Sequence, residues 1–145
     1  EAAPGQGAQA SVRLRSDDQV RPRWRPLSRA SEFSEIYGEG VKHVGRLFVL
    51  YLYPGEDNAR AVVASRKVGD AVRRNRAKRL LREALRACLL QDPALVAELR
   101  RRHWPDRPQP ATLWVVAVAR QRILSAGCGD VITEMTSLLQ RPANG

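Results

Sequence analysis

A strongly basic stretch, residues 65–86, constrains this chain more than any other part of its sequence. It holds nine Arg or Lys against two acidic residues. From Asn75 onward, apolar residues recur with the period of an α-helix and share one face, namely Ala77, Leu80, Leu81, Ala84 and Cys88. Asp70 offers the short carboxylate of an N-cap, although a start a few residues later is the alternative. The stretch predicts a helix with one packed face and one strongly positive face.

The positive face has two interpretations, a solvated surface or a site for an anionic partner. Solvated faces usually alternate Glu with Lys at four-residue spacing, because such pairs stabilise the helix, whereas this face carries almost only cations that repel one another. Most of them are Arg, whose planar guanidinium suits phosphate oxygens. The Asn75 amide can both donate and accept hydrogen bonds toward a ribose or a base edge. The pattern favours an anionic partner.

The same stretch resembles the signature of a known family. The run S-R-K-x-G-x-A-V-x-R-N-R-x-K-R-x-x-R-E, from Ser65 to Glu83, is similar to that of the protein subunit of bacterial ribonuclease P. The resemblance covers about residues 27–140. It implies an α/β (α+β) two-layer sandwich, with helices packed on one sheet of about four strands, as in domain 2 of ribosomal protein S5. It also implies a left-handed βαβ crossover, contrary to the usual rule.

What the resemblance implies about function is a protein cofactor of a ribozyme. In the family the RNA subunit carries the endoribonuclease chemistry and binds most of the Mg²⁺, and the complex removes the 5′ leader of precursor tRNA. The expected partners are the catalytic RNA and precursor tRNA, with one protein monomer per RNA in the cytoplasm. The chain itself would supply no catalytic residue and no metal site. Its expected contacts to the catalytic RNA are Arg74, Asn75, Arg76, Lys78, Arg79 and Arg82.

The family also binds the single-stranded leader in an aromatic cleft. Its expected members here are Phe33, Tyr37, Phe48, Ser65 and Lys67. From the pattern alone, Phe33 and Tyr37 lie on one face of a short helix, and the interpretation as core residues is favoured. In the run 46–53, the alternation puts Phe48 on the face opposite to Tyr51, and the resemblance assigns the Phe48 face to the leader. The family usually has Arg where this chain has Pro26, and Arg25 is the candidate substitute.

Alternating apolar residues predict two strands, Arg46–Tyr53 and Ala59–Ser65, joined by a turn at Pro54 and Gly55 as an antiparallel hairpin. The resemblance adds a strand near Val41–Val44. A continuous β-branched run predicts a further strand, Thr112–Ala119, covered on both faces. Helices are predicted for Ser31 to about Tyr37, with Ser31 as cap, and for Gly129–Leu139, with Asp130 as cap.

The sequence predicts a disordered basic arm (1–23), one RNA-binding domain (24–140) and a short tail (141–145). Residues 89–111 are interpreted as an insertion whose helix starts at Asp92 and Pro93. Its basic triplet, residues 100–102, is either an extra RNA contact or a solvated helix end, and the second is favoured.

Composition narrows the function classes. Arg and Lys total 25 against 15 acidic residues, a net charge of +10, which points to nucleic acid or an anionic membrane surface. No apolar run approaches about 18 residues and no signal-peptide core is present, so a soluble intracellular protein is expected. Cys88 and Cys128 are interpreted as small core residues, and His43 and His103 lack zinc spacing.

Two alternatives remain at this point. The first is a structural, ribosomal-type RNA-binding protein that uses the same basic helix without recognising a leader. The second is a basic membrane-surface or DNA-associated module. It fits the charge but not the helix, whose polar face has no bordering Trp or Phe.

Overall fold

A mixed sheet of five strands, in the order β1-β4-β5-β3-β2, forms the centre of the computed structural model, which describes residues 23–142. The strands are β1 (Arg25–Pro26), β2 (Val41–Val44), β3 (Phe48–Tyr53), β4 (Ala59–Val63) and β5 (Trp114–Ala119). The helices are α1 (Ala30–Glu39), α2 (Ala71–Leu85), α3 (Pro93–His103) and α4 (Cys128–Leu139). A π-helical turn, Arg86–Leu90, extends α2, and a 3-10 turn, Gln121–Ser125, precedes α4.

The predicted hairpin between β3 and β4 is wrong, because β5 lies between these two strands. β3 pairs antiparallel with β5, so that Tyr51 lies opposite Val116, and β4 runs parallel on the other side of β5, with Ala61 opposite the same Val116. The observed hairpin joins β2 to β3, which agrees with the strand that the resemblance implied near Val41–Val44. As predicted, β5 is covered on both faces, since Val115, Val116 and Ala117 are fully buried.

Both faces of the sheet carry apolar clusters. The larger cluster packs β3 residues such as Leu50 beneath Leu81 of α2 and Met135 of α4. On the other face, Ile36 of α1 packs with Ala59 and Val116 in a smaller cluster. Helix α1 therefore adds a partial third layer to the predicted two-layer α+β sandwich, and the two-residue β1 makes five strands rather than about four.

Two of the four predicted helix starts are confirmed, each with a carboxylate as its cap. Asp70 Oδ1 accepts from the Arg73 backbone N at 3.0 Å at the start of α2. Asp92 Oδ1 accepts from the Leu95 backbone N at 3.0 Å, with Pro93 in the first position of α3. These carboxylates satisfy amides that have no partner inside the helix.

The other two caps are placed differently. Helix α1 begins one residue before Ser31 and runs through Gly38 to Glu39, and Glu32 rather than Ser31 accepts from the backbone at its start, from Arg29 N at 3.3 Å. In α4, Asp130 lies inside the first turn and accepts from the Gly127 backbone N at 3.0 Å. Both carboxylates close the first turn from three residues inside it, as in one half of a capping box.

Arg100, the first residue of the basic triplet in the insertion, is neither an extra RNA contact nor part of a solvated helix end, because it is buried. The exposed fraction of Arg100 is 1%, and its guanidinium donates to backbone carbonyl oxygens of the neighbouring loops. The acceptors are Arg107 O (2.7 Å), Thr112 O (2.8 Å), Gly55 O (3.0 Å) and Gln109 O (3.4 Å). Arg102 likewise donates to Leu139 O at 2.8 Å, and only Arg101 is exposed. Arg100 holds the insertion against the turn before β4.

Several sequence predictions stay untested, among them those for parts of the chain that lie outside residues 23–142. The arm (1–23) lies outside the described residues except for Arg23, as does the tail beyond residue 142. The hand of the crossover from β4 through α2 and α3 to β5 stays a prediction.

The two cysteines differ from the prediction that both are core residues. Cys88 is half-buried against the core, but Cys128 is exposed, so its assignment as a core residue is wrong. Between residues 23 and 142, no helix is long and apolar enough to cross a membrane.

Candidate nucleic-acid interface

The basic helix α2 lies against the sheet through the face that the periodicity predicted. Its buried residues are Ala77, Leu80, Leu81, Ala84 and Leu85. Gly69, in the turn before the helix, has a φ of +149°, which disfavours side chains other than glycine, and this turn brings Asp70 into the capping position. Val68 is buried and anchors the same turn. The opposite face of α2 therefore points away from the core.

The cations in the middle of α2 lack compensating acids. The two acids of the stretch are used at its ends, where Asp70 pairs with Arg73 at 3.2 Å and Glu83 pairs with Arg86 at 3.0 Å. None of the ion pairs found within residues 23–142 involves the expected RNA contacts, which are Arg74, Arg76, Lys78, Arg79 and Arg82. The result is a band of unneutralised positive charge, which we call the basic face, with Asn75 exposed within it.

Two members of the basic face also bond to the protein itself. Arg74 Nη1 donates to Gly69 O at 2.9 Å, and Arg76 Nη2 donates to Ala126 O at 3.3 Å. A carbonyl oxygen does not neutralise a guanidinium, so both side chains keep their charge and retain further N–H donors. Arg79 and Arg82 are exposed and extend from the helix without such a bond.

An aromatic surface lies on the other face of the sheet, between α1 and β3. Phe33 and Tyr37 of α1 have ring centroids 6.1 Å apart, and Tyr37 meets Tyr51 of β3 edge-on at 4.8 Å. Lys42 Nζ lies 6.0 Å from the centroid of the Tyr51 ring. Tyr37 has an exposed fraction of 44%, whereas Phe33 and Tyr51 are half-buried. We call Phe33, Tyr37 and Tyr51 the aromatic surface.

Phe48 does not belong to this surface, and the prediction that it does is wrong. Its exposed fraction is 0%, and it packs in the larger cluster beneath α2 and α4 together with Leu50. Tyr51, which the sequence reasoning set on the other side, is the β3 aromatic that meets α1. A signal was present in the run 46–53: one face carries Phe48, Leu50 and Leu52, whereas the other carries Tyr51 and Tyr53, whose hydroxyl groups suit a partly open face.

Ser65 and Lys67 lie in the exposed turn between β4 and α2. Ser65 Oγ accepts from the Lys67 backbone N at 3.3 Å. Ser65 follows Val63, which packs on the same side of the sheet as Phe33. The turn thus connects the strand beside the aromatic surface to the helix that carries the basic face, and these two surfaces occupy opposite faces of the sheet.

Arg25 does not act as a free cation next to Pro26. Its guanidinium pairs with Glu32 at 2.9 Å and with Asp57 at 2.5 Å, and it lies 5.4 Å from the Trp114 ring centroid. Because Arg25 donates to both carboxylates, the pKa values of Glu32 and Asp57 are lowered. This arrangement connects β1, α1 and the turn before β4. The Arg25 guanidinium is therefore engaged by two carboxylates of the protein and is not open to a phosphate.

Burial shifts the pKa values of two ionisable side chains that lie outside the basic face, His43 and Tyr37. Burial lowers the pKa of His43 to about 4, and the nearby His103, whose ring centroid is 5.5 Å away, adds to the effect. Partial burial also raises the pKa of the Tyr37 hydroxyl above its ordinary value. Within residues 23–142, no group of three or more His, Cys, Asp or Glu side chains is arranged to hold a metal ion.

Comparison with known proteins confirms the resemblance seen in the sequence. The model of the family described as Ribonuclease P matches residues 22–143. The ribonuclease P protein component of Nitratiruptor sp. is 33% identical over 115 residues, which cover 79% of this chain and 89% of that relative. The ribonuclease P protein component of Dehalococcoides mccartyi is 44% identical over 62 residues, covering 41% of this chain and 52% of that relative.

Solved structures show the same fold. The RNase P protein of Staphylococcus aureus superimposes with a TM-score of 0.59 at 20% identity, covering 81% of this chain and 94% of that one. The RNase P protein of Thermotoga maritima gives a TM-score of 0.58 at 23% identity, covering 82% of this chain and 97% of that one. At these identities the likeness shows the architecture of the sheet and helices.

Proposed function

The chain belongs to the ribonuclease P protein family, and on that premise we propose that it is the protein cofactor of this endoribonuclease. It binds the catalytic RNA through the basic face and the 5′ leader of precursor tRNA through the aromatic surface. It thereby promotes Mg²⁺-dependent removal of the leader, which yields the mature tRNA 5′ end. The observation that carries this proposal is the pairing of an unneutralised basic face with an open aromatic surface on opposite faces of one sheet.

The basic face supplies affinity through phosphates. Each guanidinium or ammonium group that neutralises a phosphate releases condensed counterions, so the logarithm of the binding constant falls linearly with the logarithm of the salt concentration. The residues that take this role are the cations of the sequence prediction, Arg74, Arg76, Lys78, Arg79 and Arg82, and Asn75 adds a neutral hydrogen-bonding amide among them. Arg79 and Arg82 are the strongest candidates, because both are exposed and neither is engaged by a carboxylate among the described residues.

The aromatic surface supplies contacts to an unpaired strand. Stacking of a base on an aromatic ring contributes about 1–3 kcal/mol and requires no particular base, which suits a leader of variable sequence. Tyr37 offers the most accessible ring, Tyr51 packs against it edge-on, and Lys42 places a cation beside the Tyr51 ring. Ser65 and Lys67 extend the leader path at the turn after β4.

Hydrolysis in this proposal takes place in the RNA subunit, which binds most of the Mg²⁺. The chain's own groups bind and orient the substrate: cations hold the catalytic RNA, and aromatic rings hold the leader. Binding the leader favours precursor over mature tRNA, because only the precursor has this segment. A structural RNA-binding protein of ribosomal type would use the basic face alone and would not discriminate between the two tRNAs.

Cleavage of a precursor tRNA by bacterial ribonuclease P RNA at low Mg²⁺, with and without this chain, tests the proposal. We expect cleavage at the mature 5′ end only when both components are present. The assay includes RNA subunits from several bacteria, so that incompatibility between this chain and one particular RNA is not mistaken for a lack of cofactor activity. A chain that binds these RNAs tightly but rescues none of them would contradict the proposal in favour of the ribosomal-type alternative, and cleavage by the chain alone would place the chemistry in the protein.

A further inference from the structure

A cavity of about 320 Å³ lies at the edge of the sheet, between β4, Trp24 just before β1, and the end of α2 with its π-helical turn. Its volume is within the range of about 300–1,000 Å³ that small-molecule sites occupy. The residues that define its chemistry are Trp24, Arg60, Arg82, Arg86, Leu90 and Gln91. The cavity opens beside the basic face, because Arg82 belongs to both.

The charge of the lining calls for an anion. Three arginines, Arg60, Arg82 and Arg86, are among the residues that line the cavity, and the lining includes no carboxylate residue. Glu83 compensates Arg86 at 3.0 Å, but none of the ion pairs between residues 23 and 142 involves Arg60 or Arg82. Arg60 and Arg82 thus bring positive charge without a carboxylate partner to one cavity, and the planar guanidinium suits phosphate oxygens.

Apart from Gln91, the rest of the lining is apolar, and its Trp24 indole is held in place by a hydrogen bond. Trp24 Nε1 donates to Leu90 O at 2.9 Å, so the indole is held against the end of α2 and its polar atom is already satisfied. Trp24 and Leu90 pack against the larger core cluster, and Leu85 and Val62 complete the apolar side. An inorganic ion would leave this side unused, whereas a phosphate attached to a planar base uses both sides.

We propose that this cavity binds a single nucleotide, with its phosphate between Arg60 and Arg82 and its base beside Trp24. In the complex, the nucleotide is an unpaired residue of the RNA that lies on the basic face. The RNA origin rests on the proposed function, because it follows from the sharing of Arg82 between the cavity and that face. The inference that the ligand is a nucleotide rests only on the residues that line the cavity.

The first experiment measures mononucleotide binding to the full chain without RNA. Adenosine 5′-monophosphate is titrated while the ¹H–¹⁵N signal of the Trp24 indole is followed, with Trp24→Phe used to assign that signal. We expect a saturable shift, a much weaker effect of adenosine, and a loss of affinity of about tenfold in Arg60→Gln, which removes one charge-assisted contact. Arg101→Gln, the same charge loss on exposed α3, is the matched control and should bind normally.

Three results of this titration would overturn the nucleotide site: no shift of the Trp24 signal, equal binding of adenosine and its monophosphate, or displacement of the nucleotide by a glutamate-rich peptide at equal concentration. Thermal unfolding of Arg60→Gln verifies that the variant is folded. Should that variant be unfolded, Arg60→Lys keeps the charge but loses the planar fork, and it should still bind the monophosphate more weakly than the unmodified chain.

The second experiment identifies the source of the nucleotide. Binding of the catalytic RNA is compared between Arg60→Gln and Arg101→Gln, and we expect a clear loss only in the first. Equal RNA affinities, together with normal monophosphate binding by the unmodified chain, would overturn the RNA origin and assign the cavity to a free nucleotide. Failure of the proposed function would appear instead as absent rescue of precursor cleavage, which the mononucleotide titration does not measure.

Discussion

The ring of Tyr37 meets the ring of Tyr51 edge-on, with 4.8 Å between their centroids, and this contact joins α1 to the open side of the sheet. The geometry is one that aromatic pairs prefer, because the positive ring edge faces the negative ring face. It leaves Tyr37 with an exposed fraction of 44%, so a base can reach a ring that is already held in place. The contact explains why Tyr51, rather than Phe48, belongs to the candidate leader site.

Replacing Tyr51 by alanine should reduce affinity for precursor tRNA by about 1–3 kcal/mol and leave affinity for mature tRNA nearly unchanged. The reason is that the substitution removes both a stacking surface and the brace of Tyr37. Equilibrium binding of the two tRNAs to the protein–RNA complex is the measurement. Equal losses for both would mean that Tyr51 contributes only to packing.

Replacing Phe48 by alanine should instead cost about 3–5 kcal/mol in the free energy of unfolding, because it empties space within a fully packed core. Urea unfolding of Phe48→Ala and Tyr51→Ala gives a matched comparison of two aromatics three residues apart on β3. We expect the Phe48 variant to be far less stable. A stable Phe48→Ala with impaired leader binding would restore Phe48 to the leader site.

Replacing Arg79 and Arg82 together by alanine should weaken binding of the catalytic RNA and flatten its salt dependence. If each residue neutralises one phosphate, the slope of log K against log[salt] becomes less negative by about 1.4–1.8. Filter binding over a range of salt concentrations measures this slope, and Arg101→Ala serves as a control for loss of charge elsewhere. An unchanged slope would remove these residues from the RNA contact.

Replacing Arg100 by leucine should destabilise the protein by about 2–4 kcal/mol, since four backbone carbonyl oxygens lose their common donor. Arg101→Leu, on the exposed neighbour, should change stability by less than about 0.5 kcal/mol. Urea unfolding distinguishes the two variants. Similar stabilities for both would show that the loops do not depend on Arg100.

Acidification should destabilise the protein through His43. The pKa of His43 is lowered to about 4 by burial, while the unfolded chain has a value near 6.5. Between these values the unfolded state binds a proton that the folded state does not, so stability is complete above about pH 6.5 and falls as the pH drops, by up to about 1.4 kcal/mol per pH unit.

Unfolding in urea between neutral and mildly acidic pH measures this dependence, and His43→Leu should reduce its slope. The ring nitrogens of His43 have no hydrogen-bond partner within the described residues, so leucine removes an unsatisfied group as well. A variant with the same pH dependence as the unmodified chain would attribute the effect to other groups, among which His103 also has a lowered pKa.

Local patterns predicted α2 in detail. The Asp70 cap, four of its five buried residues and the cationic character of its outer face all follow from the sequence, because capping and helical periodicity involve residues only a few positions apart. Arg100 shows the limit of this reasoning. Its place in a basic triplet suggests a solvated helix end, and only the fold brings four backbone carbonyl groups around it, three from the loop after α3 and one from the turn before β4.

The sequence by itself determined the family, the strands β2 to β5 and the basic face of α2, because these depend on short-range periodicity and on a dense signature. The tertiary structure decided that β5 separates β3 from β4, that Tyr51 meets α1 while Phe48 is buried, and that Arg60, Arg82 and Trp24 share a cavity. Strand alternation defines two faces without saying which face the core takes. That choice depends on contacts between residues far apart in the chain, which only packing supplies.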